Sequence, residues 1–238
     1  MNLTVAEKIE TLVRLPHKNG KKEIFYPEQD GKPMGETDYH IKTIMLLHQT
    51  LELFFREASD VRVFSDIMFY YEEGNPKKVI APDVMVVRGV GKHLRRTFRL
   101  WQEKIPEIVF EISSSGTFKE DFEKKFLLYE SFGVKEYYIF DPKHNYRKGK
   151  SRNEIPFTAF HLKNNRFEKI EIRYGRVFSP TLDLEIVDMG ENLRLFNPET
   201  KIFLPTMEEL SDKAEKVEKL ESEVEKLKAE LAKLKRQK

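Results

Sequence analysis

Two carboxylates stand in apolar strands that have no evident place for them. Asp83 follows Pro82 inside AlaProAspValMetValVal, and Glu111 interrupts IleValPheGluIleSer. Strand alternation puts Asp83 on one face with Met85 and Val87, and Glu111 on one face with Val109 and Ser113. An acid in a core strand is costly unless it is paired or binds a cation. One such acid could be an accident of a strand end, whereas two in neighbouring strands point to a metal pair. Hard oxygen ligands select Mg²⁺ or Mn²⁺, which keep water positions open. Such an ion polarises a phosphate and lowers the pKa of bound water, the requirement for cleaving a phosphodiester.

A third group belongs with them. At 100° per residue, Phe118, Phe122, Phe126, Tyr129 and Phe132 define one apolar helix face, and Lys125 falls in its middle. An inward lysine needs an anion, either Glu111 or a phosphate, unless it reaches water along its stem. Asp121, one turn earlier at the edge of the face, either orients Lys125 or is an ordinary i,i+4 partner. Lys124 sits near the boundary of the face.

Other chemistries find little support. The chain has no Walker loop, G-x-G-x-x-G, G-x-S-x-G or H-E-x-x-H motif, and its six histidines are scattered without metal spacing. With no cysteine there is no disulfide, thiolate zinc site or cysteine nucleophile. The 238 residues carry a net charge of +2, too little by itself to announce nucleic acid. The charge is unevenly spread, however. Arg88–Lys104 sets Arg88, Lys92, Arg95, Arg96, Arg99 and Lys104 against Glu103, and His144–Arg152 holds Arg147, Lys148, Lys150 and Arg152 with no acid. Both runs read as phosphate contacts flanking the acids, or as plain solvated loops. No apolar run is long enough to span a membrane, and the opening MNLTVAEKIETLVRL lacks a signal-peptide core, so the expected location is the cytoplasm.

The elements that must position these groups form a mixed α/β domain, expected over residues 1–205. Thr37–Arg56 predicts a helix capped by Thr37 or Asp38, with Ile41, Ile44, Leu47, Leu51, Phe54 and Phe55 as its stripe. Val61–Tyr71 and Val79–Val87 predict a hairpin around Glu72–Pro76. Glu107–Ser113, a helix over Lys119–Phe132 and Glu136–Phe140 read as a strand–helix–strand unit with parallel strands. Phe157–Leu162, Phe167–Ile172 and Arg176–Phe178 predict further antiparallel strands. Residues 206–238 differ in kind: they contain no Gly or Pro, and their nine acids balance nine bases. Val217, Leu220, Val224, Leu227, Leu231 and Leu234 follow heptad spacing, which favours a parallel two-stranded coil and a homodimer over a helix folded back on its own domain.

Together these residues resemble the PD-(D/E)XK nuclease superfamily. More narrowly they resemble a restriction-endonuclease-like family first catalogued as a domain of unknown function and abundant in cyanobacteria. The similarity rests on Pro82-Asp83, on EIVFEISSSGTFKEDFEKKFLLYESFGVKEYYIFDP at residues 107–142, and on LRLFNPETKIFLPT near the end of the domain. The resemblance implies a mixed sheet flanked by helices and a Mg²⁺-dependent endonuclease acting on DNA. It implies Asp83, Glu111 and the Ile112 carbonyl as metal ligands. The superfamily's usual lysine place, two residues after the second acid, holds Ser113 here; the lysine then moves to the helix as Lys125, with Lys124 in reserve. Glu36 would match an extra acid found in some members. The alternatives are a catalytically silent DNA-binding module and a coiled-coil interaction protein.

Overall fold

Thr37 starts the first helix, α1 (Asp38–Phe54), by accepting the His40 amide proton on its hydroxyl at 3.3 Å. The protein is seen here as a computed structural model that describes residues 24–29, 37–114, 116–142 and 157–236. After α1 come β1 (Val61–Phe64), β2 (Phe69–Tyr70), β3 (Val79–Ile80), β4 (Val84–Arg88), β5 (Phe98–Arg99) and β6 (Ile108–Ile112). A π-helical turn over Glu120–Lys125 runs into α2 (Phe126–Phe132). Then follow β7 (Glu136–Phe140), β8 (Phe157–Lys163), β9 (Arg166–Ile170), β10 (Arg176–Ser179), β11 (Leu184–Asp188), β12 (Leu193–Asn197), β13 (Ile202–Phe203) and α3 (Met207–Arg236).

The central sheet has the order β1-β4-β6-β7-β8-β9. Only β6 and β7 among its neighbours run parallel, as the strand–helix–strand reading requires. Gly133, at φ 87°, ends α2 in a left-handed turn that lets Val134 donate back to the Tyr129 carbonyl and sends the chain into β7. One face of the sheet buries Val84, Val86, Ile108, Phe110 and Tyr138 against Leu47 and Leu51 of α1 and against the four-stranded sheet β10-β11-β12-β13. The other face buries Met85, Val87, Val109 and Tyr137 against Tyr129 of α2 and against Phe69 and Phe98 of a three-stranded sheet, β3-β2-β5.

Several expectations change. The predicted hairpin forms, but it divides: β1 pairs with β4 in the central sheet, and β2 pairs with β3 in the small one. The break falls at residues 65–68 and 81–83, where Asp66 takes φ 48° and donates its amide to the Pro82 carbonyl. Asp83 therefore precedes β4 instead of lying inside a strand. The α1 stripe is also rotated: His40, Thr43, Leu47, Thr50 and Leu51 are buried while Ile41 is 45% exposed. Thr43 tolerates burial because its hydroxyl donates to the Tyr39 carbonyl at 2.8 Å. Lastly, β4 runs away from Asp83, so Arg88–Lys104 leaves from the far end of that strand and not from beside the acids, and part of it forms β5.

Candidate active site

The end of β6 and the start of β4 meet because these strands are antiparallel, with Val84 opposite Phe110. One residue further along each strand brings Asp83 beside Glu111. Asp83 Oδ2 accepts the Ile112 amide proton at 2.6 Å, taking the place of a ladder partner where β3 has turned into the other sheet. A strand residue points its N–H and C=O to the same edge, so the Ile112 carbonyl is directed toward Asp83 as well. His40 Nε2, from the first turn of α1, lies 3.3 Å from the same Oδ2.

Glu111 is fully buried. Its Oε2 accepts from Lys125 Nζ at 2.7 Å and its Oε1 from the Tyr129 hydroxyl at 2.6 Å. The π-helical turn brings Asp121 into the same cluster: Asp121 is 1% exposed, and its Oδ1 lies 3.2 Å from Lys125 Nζ as an ion pair without an aligned hydrogen bond. Its Oδ2 accepts from the Ser113 hydroxyl at 2.8 Å, and its carbonyl accepts from the Tyr137 hydroxyl. Ser113, in the place where the superfamily's usual lysine stands, thus holds the acid that holds Lys125. Lys124 points outward and pairs with Glu120 at 2.8 Å.

Three carboxylates, Asp83, Glu111 and Asp121, share this space with one lysine ammonium. Burial pushes the Glu111 carboxyl well above its usual range; Lys125 opposes the shift, and Asp83 and Asp121 add to it. Burial also raises Asp121, again against Lys125. The ammonium of Lys125 is held above its ordinary value by Glu111 first, then Asp121 and Asp83, which outweigh its own desolvation. Three carboxyl groups against one ammonium supply hard oxygen ligands for a cation, and Glu111 must ionise to serve as one. No three His, Cys, Asp or Glu side chains among the described residues are grouped to enclose a metal, but Mg²⁺ needs only one or two carboxylates with water completing its shell. Asp83, Glu111 and the Ile112 carbonyl fit that requirement.

A buried acid alone is a weak sign, as Glu136 demonstrates. It lies in β7, equally buried, but neutral donors satisfy it: the hydroxyls of Tyr138 and Ser179 and the Thr181 amide. It fastens the four-stranded sheet to the central one. Glu111 differs in facing a lysine and two further acids.

Over residues 9–186 the sequence matches the profile of a family described as "Putative restriction endonuclease", Uma2. The chain belongs to the Uma2 family. The match spans the acids, the lysine and the strands that carry them, and stops before α3. A solved structure similar to this Uma2 chain is described as a putative nuclease of the DUF820 family from Anabaena variabilis. It is 16% identical, covers 76% of this chain and 91% of its own, and has a TM-score of 0.42. Among curated proteins none matches.

Among the remaining expected residues of this Uma2 protein, those that are described lie apart. Arg95 is bound inward, its guanidinium engaged by Glu103 and by the Gly91 and His93 carbonyls, and its side chain is 6% exposed. Enclosed in this way it has no free face for a phosphate. Arg99 lies 4.7 Å over the Tyr26 ring, and Arg96 is 85% exposed and paired with Glu28 at 3.0 Å. Glu36, Arg147 and Lys148 lie outside the described residues. Two further side chains join the site. His40 is one of the six histidines without metal spacing, although its spacing to Thr43, Leu47 and Leu51 marks the buried stripe. Tyr129 belongs to the apolar helix face and to the Asp–Lys–Tyr helix pattern of the resemblance, neither of which assigns its hydroxyl a role.

Proposed function

We propose that this protein is a Mg²⁺- or Mn²⁺-dependent endonuclease that hydrolyses DNA phosphodiesters and works in the cytoplasm as a homodimer, with residues 1–205 as the nuclease domain and 206–238 as the associating tail. The observation that carries this reading is the buried cluster in which Asp83, Glu111 and Asp121 converge on Lys125. The ion, held by Asp83, Glu111 and the Ile112 carbonyl, would supply a polarised phosphate and a water of lowered pKa. Lys125 is the catalytic cation: its ammonium, 2.7 Å from Glu111, is placed to steady the negative charge that develops on the phosphoryl oxygens. Asp121 and Ser113 orient Lys125, Tyr129 orients Glu111, and His40 orients Asp83. Arg96, with Arg99 and the Arg147–Lys148 run, would contact the DNA backbone. Among the described residues no helix is long and apolar enough to cross a membrane.

Calorimetry with Mn²⁺ tests the core of this reading. Wild-type protein should take up the ion and Asp83→Ala should not; equal uptake by both would remove Asp83 as a ligand. His40 supplies a finer expectation. Partners that orient a metal ligand typically carry about tenfold or more of the affinity. His40→Ala should weaken Mn²⁺ binding by that much, while His40→Gln, which keeps a donor, should recover part of it. An unchanged affinity in His40→Ala would make the histidine a plain core residue. A catalytically silent DNA-binding module is the second reading, favoured by the engagement of both Glu111 oxygens with Lys125 and Tyr129. Supercoiled DNA bound but left uncut under both ions would decide for it.

A further inference from the structure

Helix α3 carries an uncovered apolar stripe. Val217, Leu220, Val224, Leu227 and Leu231 are 46–60% exposed, on a helix of 30 residues, about 45 Å long. Its start is fixed. Thr206 accepts the Glu209 amide proton on its hydroxyl at 3.1 Å, and the Glu209 carboxylate accepts the Thr206 amide proton at 2.9 Å. Arg194 of β12 grips the same carboxylate at 3.0 Å, so the helix leaves the domain on a set heading.

We propose that a second copy of this chain covers the stripe as a parallel, in-register two-stranded coil. The orientation rests on the self-association proposed above and is independent of the nuclease chemistry. The charges that flank the stripe carry it. With Val217, Val224 and Leu231 at a and Leu220, Leu227 and Leu234 at d, the g positions are Lys216, Glu223 and Glu230 and the e positions are Glu221, Lys228 and Lys235. In a parallel pair each g residue faces the following e residue of the other copy. Lys216 then meets Glu221, Glu223 meets Lys228, and Glu230 meets Lys235, all of opposite sign and each occurring twice by symmetry. The antiparallel pair that keeps the same six layers also matches Glu221 with Lys228, but it sets Glu223 against Glu230 on both sides. The antiparallel pair thus has two attractive and two repulsive contacts against six attractive ones in the parallel pair, so the pattern selects one orientation. Because both helices start at their capped ends, parallel pairing places the two domains together at one end of the coil.

The absence of native cysteine makes the register directly readable. Full-length Leu227→Cys should oxidise to a covalent dimer, since facing d positions of a parallel coil stand about 6 Å apart, within disulfide reach. Light scattering on the unmodified full chain should give the dimer mass, and deletion of 207–238 should give the monomer mass. Glu223→Lys should shift the equilibrium toward monomer, and Glu223→Lys with Lys228→Glu should restore it. A monomer mass for the wild type would remove self-association altogether. A dimer mass that survives deletion of the tail would place the interface in the domain. A dimer in which Leu227→Cys fails to link to itself but links to Val224→Cys in a mixture would establish the antiparallel arrangement and overturn the proposal.

Discussion

Lys125→Ala should lose DNA cleavage by on the order of a hundredfold or more, the scale seen when a group that stabilises transition-state charge is removed. The same substitution leaves Glu111 and Asp121 buried without their ammonium, and removal of one partner from a buried pair costs about 3–5 kcal/mol. The loss should fall short of the upper figure, because Glu111 already tends toward its neutral form and can take up a proton. Added Mg²⁺ should return part of the melting temperature, since the ligands remain and the competing cation is gone. Lys124→Ala is the control. That side chain is exposed and has only a surface pair with Glu120, worth at most about 1 kcal/mol, so cleavage should be close to normal. A dead Lys124→Ala beside an active Lys125→Ala would transfer the role to the neighbouring residue. Normal cutting by both would end the idea of a lysine displaced to the helix.

Glu111→Gln should separate stability from activity. The folded-state pKa of Glu111 is raised, chiefly by burial, so the fold favours its neutral form. Its contribution to stability is therefore full below the ordinary carboxylate range and is lost as pH rises through the raised value. Gln carries no charge at any pH. Its amide nitrogen, however, meets the Lys125 or Tyr129 donor that the lost oxygen received, so the metal-free variant should melt below wild type, and the gap should narrow as pH rises. Lys125 retains Asp121 as its partner in this variant. The stabilisation that Mn²⁺ gives the wild type should vanish together with cleavage. In the wild type, Mn²⁺ affinity should climb with pH above the ordinary glutamate range as the ligand ionises. A variant whose gap from wild type is the same at every pH, and which still binds Mn²⁺, would contradict both the burial argument and the ligand assignment.

Local patterns in the sequence foretold much of this architecture. The Thr37 cap, the β6–helix–β7 unit and the inward phase of Lys125 follow from residue type and spacing, and the structure has them where they were expected. What was missed depends on long-range partners. Apolarity puts Ile41 in the α1 stripe beside Leu47 and Leu51, yet His40 and Thr43 are the buried ones at that end, since Asp83 and the Tyr39 carbonyl receive them. The break in the long hairpin could not be read from Val61–Tyr71, because an alternating strand looks the same whether it serves one sheet or two. Asp121 looked like a boundary residue on an ideal α-helix; the π-helical turn and the Ser113 hydroxyl place it inside. β11 carries no sequence expectation, although Leu184 and Ile186 give it a buried side.

The division of that hairpin has a mechanical meaning. Two stretches of chain, residues 65–68 and 81–83, cross from the central sheet to the small one at the same place, and they are tied to each other by the Asp66 amide and the Pro82 carbonyl. A crossing of this kind acts as a pivot. If the small sheet tilts against the large one, strand ends remote from the crossing swing widely, and residues at the crossing move least. Asp83 sits at that fixed point, pinned to the Ile112 amide. A tilt of the small sheet, whose Phe69 and Phe98 pack against the central one, would therefore change the spacing between Asp83 and Glu111 least.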